Sequence, residues 1–396
     1  MTKNDDKCVP ALRFKGFNND WAQQELKDLV SFYSGLTYHP EDIKSTGVFV
    51  IRSSNIKHGQ LVNADNVYVD PKSVNSTYVR KKDIIVVVRN GSRNLIGKHA
   101  QVHNDISKSV IGAFMTGIRS NNNDFISALF DSDKFRKEIH KNLGATINQI
   151  TTGEFKKMIF LTPQTLNEKE KIGNLISQIN SLVSLQQRKL QQLKLLKKAM
   201  LQDLFTDKNV PKLRFNGFDA NWIQCKLEKE ALLTMGQSPS GSTYSDQPST
   251  YILVQGNADL KNGWVKPRIW TTQITKLAKK GDIIITVRAP AGKVGRTNFD
   301  VVLGRGVASI QGNDFIFYLL SKMDMNKYWK KYAAGSTFES INSNDIKNTR
   351  VHVPNLPEQN RIANLFLRLD DLIRFQQNKL NNLQKTKQFL LQNMFI

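Results

Sequence analysis

Pro10-Ala-Leu-Arg-Phe-Lys-Gly-Phe17 returns later in the chain as Pro211-Lys-Leu-Arg-Phe-Asn-Gly-Phe218, displaced by 201 residues. Trp21 and Leu26 keep that displacement at Trp222 and Leu227. Asp83-Ile-Ile-Val-Val-Val-Arg89 matches Asp282-Ile-Ile-Ile-Thr-Val-Arg288 at 199, and a Gly-basic pair follows each, Gly97-Lys98 and Gly295-Arg296. Gly144-Ala-Thr-Ile-Asn-Gln-Ile150 matches Gly335-Ser-Thr-Phe-Glu-Ser-Ile341 at 191, and Ile172 to Phe205 matches Ile362 to Phe395 at 190. The displacement shrinks only by small deletions, so both copies keep one order of elements. A period of this size is a domain duplication, because solenoid repeats run about 20–50 residues. Met1 to Pro10 resembles the stretch that follows Phe205. The order of parts is therefore nearly cyclic, which predicts that both termini lie together in a two-fold arrangement.

Each copy reads as mixed α and β. Val48-Phe-Val-Ile-Arg52, Tyr251-Ile-Leu-Val254 and the runs from Ile84 and Ile283 have strand composition. Asp124 to Asn142 and Asp314 to Tyr332 read as helices, giving an α+β class. The tail of each copy carries a heptad pattern. Ile172, Ile179, Gln186, Leu193 and Met200 fall at one position, and Leu175, Leu182, Lys189 and Leu196 at the other. The second tail repeats this with Ile362, Leu369, Gln376, Leu383 and Leu390, then Leu365, Leu372, Lys379 and Thr386. That is a coiled-coil seam with a polar break at the same place in both. Thr165 with Glu168, and Asn355 with Glu358, are capping-box-like starts. Two such helices in one chain are expected to pair antiparallel, with Gln186, Lys189, Gln376 and Lys379 near the middle.

The chain of 396 residues carries 57 Lys and Arg against 34 Asp and Glu, a net charge of +23. Such an excess favours a polyanionic partner, nucleic acid or an anionic membrane. The longest purely aliphatic run, Ile84 to Val88, is far short of the ~20 residues that span a bilayer. The first residues lack the apolar run of a signal peptide. The two cysteines, Cys8 and Cys225, suit a reducing compartment. A cytoplasmic protein without membrane contact is expected.

Several stretches approach catalytic patterns without completing them. Gly91 to Lys98 has five residues between its glycines, and His99 stands where a phosphate loop needs Ser or Thr. His99 and His103 lack the intervening Glu of a zinc helix, so no metal site is expected. Glu154-Phe-Lys156 and Asp345-Ile-Lys347 have half of a nuclease motif, but no Pro-Asp precedes either, and a cap role fits better. No Asn-Pro-Pro-aromatic and no Gly-x-Ser-x-Gly occurs.

Doubled globular parts, doubled heptad helices, the Pro-x-Leu-Arg-Phe lead-in and the cyclic order together resemble the specificity subunit of type I restriction–modification enzymes. The resemblance spans essentially the whole chain. It implies two pseudo-symmetric target recognition domains, at 1–164 and 208–354, separated by two long helices at 165–207 and 355–396 that form an antiparallel coiled coil. It implies that each domain reads one half of a split target in double-stranded DNA. Two modification (methyltransferase) subunits and two restriction (motor-nuclease) subunits are the implied partners. S-adenosylmethionine, ATP and Mg belong on those partners, leaving this chain noncatalytic and without cofactor. The alternative is a basic coiled-coil scaffold that binds DNA without sequence specificity.

Segments alike in both copies are expected to be frame, and segments that differ are expected to read the two half-sites. Arg89 and Arg288, with Lys98 and Arg296, are matched polar positions. Between them, Asn90, Ser92 and Arg93 stand against Ala289-Pro-Ala-Gly-Lys293. Ser53, Ser54 and Asn55 against Gln255, Gly256 and Asn257 form a second candidate loop. Thr146, Asn148 and Gln149 against Thr337, Glu339 and Ser340 form a third, with Ser336 a further candidate beside them. Arg and Asn suit reading of guanine and adenine, and each loop suits a structural turn equally well. Arg13 and Arg214 are assigned to packing or partner docking.

Overall fold

The computed structural model describes residues 8–103, 106, 108–143, 148–333 and 340–396. They fall into two units, Met1–Gln187 with Asn378–Ile396, and Arg188–Gln377. Each unit therefore holds one globular part and half of each long helix.

In the first unit, strands Ser31–Ser34, Met115–Arg119, Ile84–Val87 and His99–Gln101 lie side by side in that order, all antiparallel. A second sheet runs Ser109–Ile111, Val48–Ile51, Val67–Val69, Ile43–Lys44, its first pair parallel. Ala22–Glu25 pairs with Ile159–Thr162 and closes the lead-in onto the helix start. The Ile84–Val87 run is apolar throughout because both faces of its sheet are covered. Ile84 and Val86 enter the core under the helices, and Ile85 and Val87 enter the core toward the second sheet.

The second unit repeats this with extensions. Leu232–Met235, Val307–Gln311, Ile283–Thr286 and Val294–Arg296 keep the order of the first sheet, continued by Trp264–Val265 and Leu260–Lys261. The other sheet runs Tyr244–Ser245, Ile269–Thr271, Tyr251–Val254, Val301–Leu303, Leu277–Ala278. The stretches read as single helices are each broken. Asn123–Asp131 ends at Ser132, whose hydroxyl accepts from the Phe135 amide and starts Asp133–Asn142. Capping by serine competes with helix continuation. Asp314–Met325 and Lys330–Ala333 are likewise separate.

The long helices are Leu166–Leu204 and Leu356–Met394, 39 residues each. Within each unit their segments run antiparallel. In the first, Asn180 and Lys387 both reach Asp131, while Ile172, Met394 and Phe395 share one core. In the second, Lys197 pairs with Asp370, and Phe205 packs on Phe366. Numbers rise along one helix as they fall along its neighbour.

The seam differs from expectation at every second position. The buried line is Ile172, Ile176, Ile179, Gln186, Leu190 and Ile362, Phe366, Leu369, Gln376, Leu380. Leu182 and Leu372 are instead 45% and 52% exposed. Leu175, Leu193, Leu365 and Leu383 are half-buried, and Lys189 and Lys379 lie outside. A step of three and a step of four both stay on one helix face. Leu175 and Ile176 are both apolar, so the heptad alone leaves the side open. The globular part that covers each helix chooses the step of four.

Candidate nucleic-acid interface

The matched lead-in forms a clamp. Arg13 Nε donates to Glu168 Oε1 at 2.6 Å, its Nη2 to Oε2 at 2.9 Å, and Trp21 Nε1 to Oε1 at 3.3 Å. Arg214, Trp222 and Glu358 repeat this at 2.8, 2.7 and 3.3 Å. A two-point guanidinium–carboxylate contact is strong and directional. Hydrogen bonding to the glutamate raises the pKa of each arginine. Thr165 Oγ1 and Asn355 Oδ1 accept from the amides of Glu168 and Glu358, giving half of each expected capping box, while the carboxylates turn to Arg and Trp. The lead-in also crosses a helix end: Leu12 N donates to Asn393 O, and Leu213 N to Asp203 O. Arg13 and Arg214 thus hold the frame.

In the first unit the candidate loops converge. Asn90 Nδ2 donates to Ser53 Oγ at 3.1 Å, and Lys98 Nζ to Ser53 O at 3.1 Å. Asn90 N donates to Asn148 O at 3.2 Å, and Asn148 Nδ2 to Gly91 O at 2.9 Å. Arg89 and Gln149 form a β-bridge. Arg89, Ser54, Ser92 and Arg93 are exposed around this junction. Burial, and then the nearby Lys57, lower the pKa of Lys98. Among the described residues no carboxylate pairs with Lys98, so an anion arriving there would relieve both effects. Asn55 is different. It is fully buried, its Oδ1 accepts from Arg52 N at 2.9 Å and its Nδ2 donates to Ala64 O at 2.6 Å, so it shapes the loop and is not free to read a base.

The second unit corrects two matches. The partner of Asn55 is Asp259, which closes the same turn by accepting from Gly256 N at 3.1 Å. Ser53 therefore corresponds to exposed Asn257, and half-buried Gln255 precedes the loop. The partner of Lys98 is Lys293: Val87 N donates to Lys98 O, and Thr286 N to Lys293 O. Gly97 and Gly292 precede them at φ 82° and 86°, which glycine adopts without penalty. Arg296 instead faces Ile283 as Gln101 faces Ile84. Gln101 donates to Asp124, Arg296 pairs with Asp314, and the Arg296 guanidinium lies 4.4 Å from the Phe317 ring centre. Arg296 ties a strand to a helix start and leaves the list of DNA contacts. The match failed because the second loop is shorter, three residues between Arg288 and Gly292 against seven between Arg89 and Gly97.

Arg288 is exposed and bridges Ser340 as Arg89 bridges Gln149. Exposed Lys293 donates to Asp324 at 2.9 Å. Thr146, Ser336, Thr337 and Glu339 lie outside the described residues.

One turn escaped the sequence reading. Gly112-Ala-Phe114 and Gly304-Arg-Gly306 occupy the same place, since Phe114 O accepts from Val88 N and Gly306 O from Val287 N. Phe114 is 53% exposed, with the Arg89 guanidinium 5.0 Å from its ring centre. Exposed Arg305 marks the second unit. The rule of unmatched tips between matched strands applies here too.

The residues of the incomplete catalytic patterns have structural duties. Thr151 with Glu154 and Asn342 with Asp345 form reciprocal capping boxes. His99 packs edge-on against Phe130 and Phe135 and faces Asp131 at 3.4 Å. Among the described residues no cluster of three His, Cys, Asp or Glu could hold a metal, and no helix is long and apolar enough to cross a membrane.

A family model for the type I restriction modification DNA specificity domain matches residues 18–195 and 234–385. The chain belongs to the type I restriction–modification DNA specificity family. As a member it is a noncatalytic DNA sequence-recognition subunit. It is 27% identical to a putative type I restriction enzyme MjaX specificity subunit of Methanocaldococcus jannaschii, over 94% of this chain and 92% of that one. It is 27% identical to the EcoKI specificity subunit of Escherichia coli over 54% of this chain and 48% of that one. Among solved structures, the S subunit of a type I restriction–modification system from M. genitalium has the same fold, with a TM-score of 0.67 at 13% identity over 98% of this chain and 99% of that one. A chain from a solved type I R-M system gives 0.53 at 22% identity over 94% and 96%.

Proposed function

We propose that the two units read the two halves of a bipartite, asymmetric target in double-stranded DNA and direct adenine methylation, or ATP-dependent restriction, by partner subunits in the cytoplasm. One observation carries this. Both units present an arginine at the same β-bridge, Arg89 with Gln149 and Arg288 with Ser340, and surround it with different side chains. Asn90, Ser53 and Phe114 flank the first, and Asn257 and Arg305 the second, while a lysine, Lys98 or Lys293, stands at the same place in both. A shared frame with different tips suits a target whose halves differ. The scaffold alternative gives no reason for the tips to differ.

Two modification subunits, carrying S-adenosylmethionine, are the proposed partners, joined by two restriction subunits using ATP and Mg. Support comes from exposed apolar positions that recur in both copies. Leu182 and Leu185 are exposed on the first helix, and their counterparts Leu372 and Phe375 on the second. A doubled apolar spot fits two copies of one partner.

The test is methylation mapping in a host expressing this chain with its modification partners. The expected result is one non-palindromic motif with two read segments around an unread spacer, near one DNA turn between centres. A palindromic or uninterrupted motif would refute the two-reader assignment. Inserting one helical turn beside Gln186 and beside Gln376 should lengthen the spacer and leave both half-sites unchanged.

A further inference from the structure

Lys197 and Lys387 are repeat mates, at the 190-residue displacement of the long helices. Each is held by a carboxylate, but from a different source. In the first unit Lys387 Nζ donates to Asp131 Oδ2 at 2.7 Å, and Asp131 lies on the globular part. The facing long-helix residue is Asn180, whose Nδ2 donates to the same oxygen at 3.4 Å. His99 faces the other oxygen at 3.4 Å. In the second unit Lys197 pairs with Asp370, which stands on the long helix at the place of Asn180. There the globular part contributes Tyr318, whose hydroxyl donates to Asp370 Oδ2 at 2.8 Å. At the place of Asp131 it has Ser321, which bonds its own helix at Phe317 O. Phe125 and Phe315, packed on Phe395 and Phe205 respectively, fix this correspondence between the two globular helices.

We propose that this relocated carboxylate assigns each globular part to its own helix pair, so that the two recognition domains are not interchangeable on the unaltered helices. The second domain in the first position would bring Ser321 to a site where the helix offers Asn180. Lys387, whose side chain is only 23% exposed, would lose its carboxylate. The first domain in the second position would bring Asp131 beside Asp370, two carboxylates against one lysine. Each mismatch is an uncompensated, partly shielded charge. Exchange of carboxylate between domain and helix restores the pairing of both lysines. The geometry predicts that Asn180→Asp and Asp370→Asn together re-key the helices.

The first arm uses the full chain and needs no DNA. Amide hydrogen exchange is read over residues 384–392 and 177–184. Asp131→Ser, which installs the second unit's residue, should reduce protection there about ten- to hundredfold, the worth of a charged hydrogen bond. Asn180→Asp in the Asp131→Ser background should recover at least about tenfold, because the carboxylate returns from the helix. The same cycle in the second unit uses Asp370→Asn and its rescue by Ser321→Asp, read over 194–201. Asp131→Asn, which keeps the shape, serves where Asp131→Ser does not fold. Equal protection in Asp131→Ser and in the rescued double variant overturns the proposal, as does full protection in Asp131→Ser or Asp131→Asn alone.

The second arm rests on the reading of each unit as a half-site reader. Globular segments 18–164 and 219–354 are exchanged, on native helices and on helices carrying Asn180→Asp and Asp370→Asn. Methylation mapping should show the mirrored bipartite motif at higher occupancy on the re-keyed helices. Equal or higher occupancy on native helices overturns the charge assignment, whereas a failure of the half-site reading leaves the exchange protections of the first arm unchanged.

Discussion

Glu168→Gln removes the charge at the centre of the first clamp. The carboxylate accepts three hydrogen bonds, from Arg13 at 2.6 and 2.9 Å and from Trp21 at 3.3 Å. It is 1% exposed. Glutamine keeps one acceptor oxygen and turns an amide nitrogen toward the guanidinium. Two charge-assisted bonds contribute about 1.5–3 kcal/mol each, and breaking a buried pair costs about 3–5 kcal/mol. Arg13 can recover some hydration and keeps its bond to Asn19 O, so about 3 kcal/mol is expected. For a unit of roughly 200 residues each kcal/mol moves Tm by about 2–4 °C. The transition of the first unit should therefore fall by about 6–12 °C in calorimetry. Glu358→Gln should lower the other transition by a similar amount, because its distances match. The lead-in strands should lose exchange protection before the central sheet does. A Tm change under about 2 °C in both variants would refute the claim that the clamp ties lead-in to helix.

Other outcomes follow from the same geometry. Arg89→Ala and Arg288→Ala should each weaken binding of the mapped target by about 1–3 kcal/mol if the arginine reads a base, relaxing one half-site only; uniform weakening with a shallower salt dependence would assign it to phosphate. Phe114→Ala should relax the first half-site and leave the second unchanged, read by methylation mapping, whereas equal relaxation of both would place Phe114 in the frame. Arg296→Gln should leave DNA affinity unchanged at fixed salt while lowering stability, because it is occupied by Asp314 and Phe317; a loss of affinity in folded protein would return it to the interface. For Asp131, burial alone would raise the carboxyl pKa, but His99 and then Lys387 overrule it and hold it well below the usual carboxylate range. Its contribution to stability is thus complete above the unfolded value of about 3.9 and is lost as pH falls from there through the depressed folded pKa. The urea-unfolding difference between the native chain and Asp131→Asn should shrink as pH falls below about 4; a difference that stays the same between pH 5 and 3 would contradict this.

The sequence alone determined the duplication, the α+β class, the paired long helices and the absence of catalytic patterns. Those features rest on spacing along the chain. Apolar residues at a helical period bury one face whatever the helix meets, and a strand such as Ile84–Val87 must be covered on both sides. The matched Arg13, Trp21 and Glu168 positions were visible as repeats, although their convergence on one carboxylate was not. What only the tertiary structure decided concerns partners chosen across space. Leu175 and Ile176 offered equal seams until the globular part covered one of them. A loop four residues shorter moved the partner of Lys98 from Arg296 to Lys293, because strand pairing fixes register and sequence adjacency does not. Asn55 looked like a reader and is a buried turn former, and Phe114, which no sequence pattern singled out, stands exposed on the tip. A polar side chain is recruited by whichever unsatisfied group the fold brings within about 3 Å, and that distance is set by sheets and helices far apart in the chain.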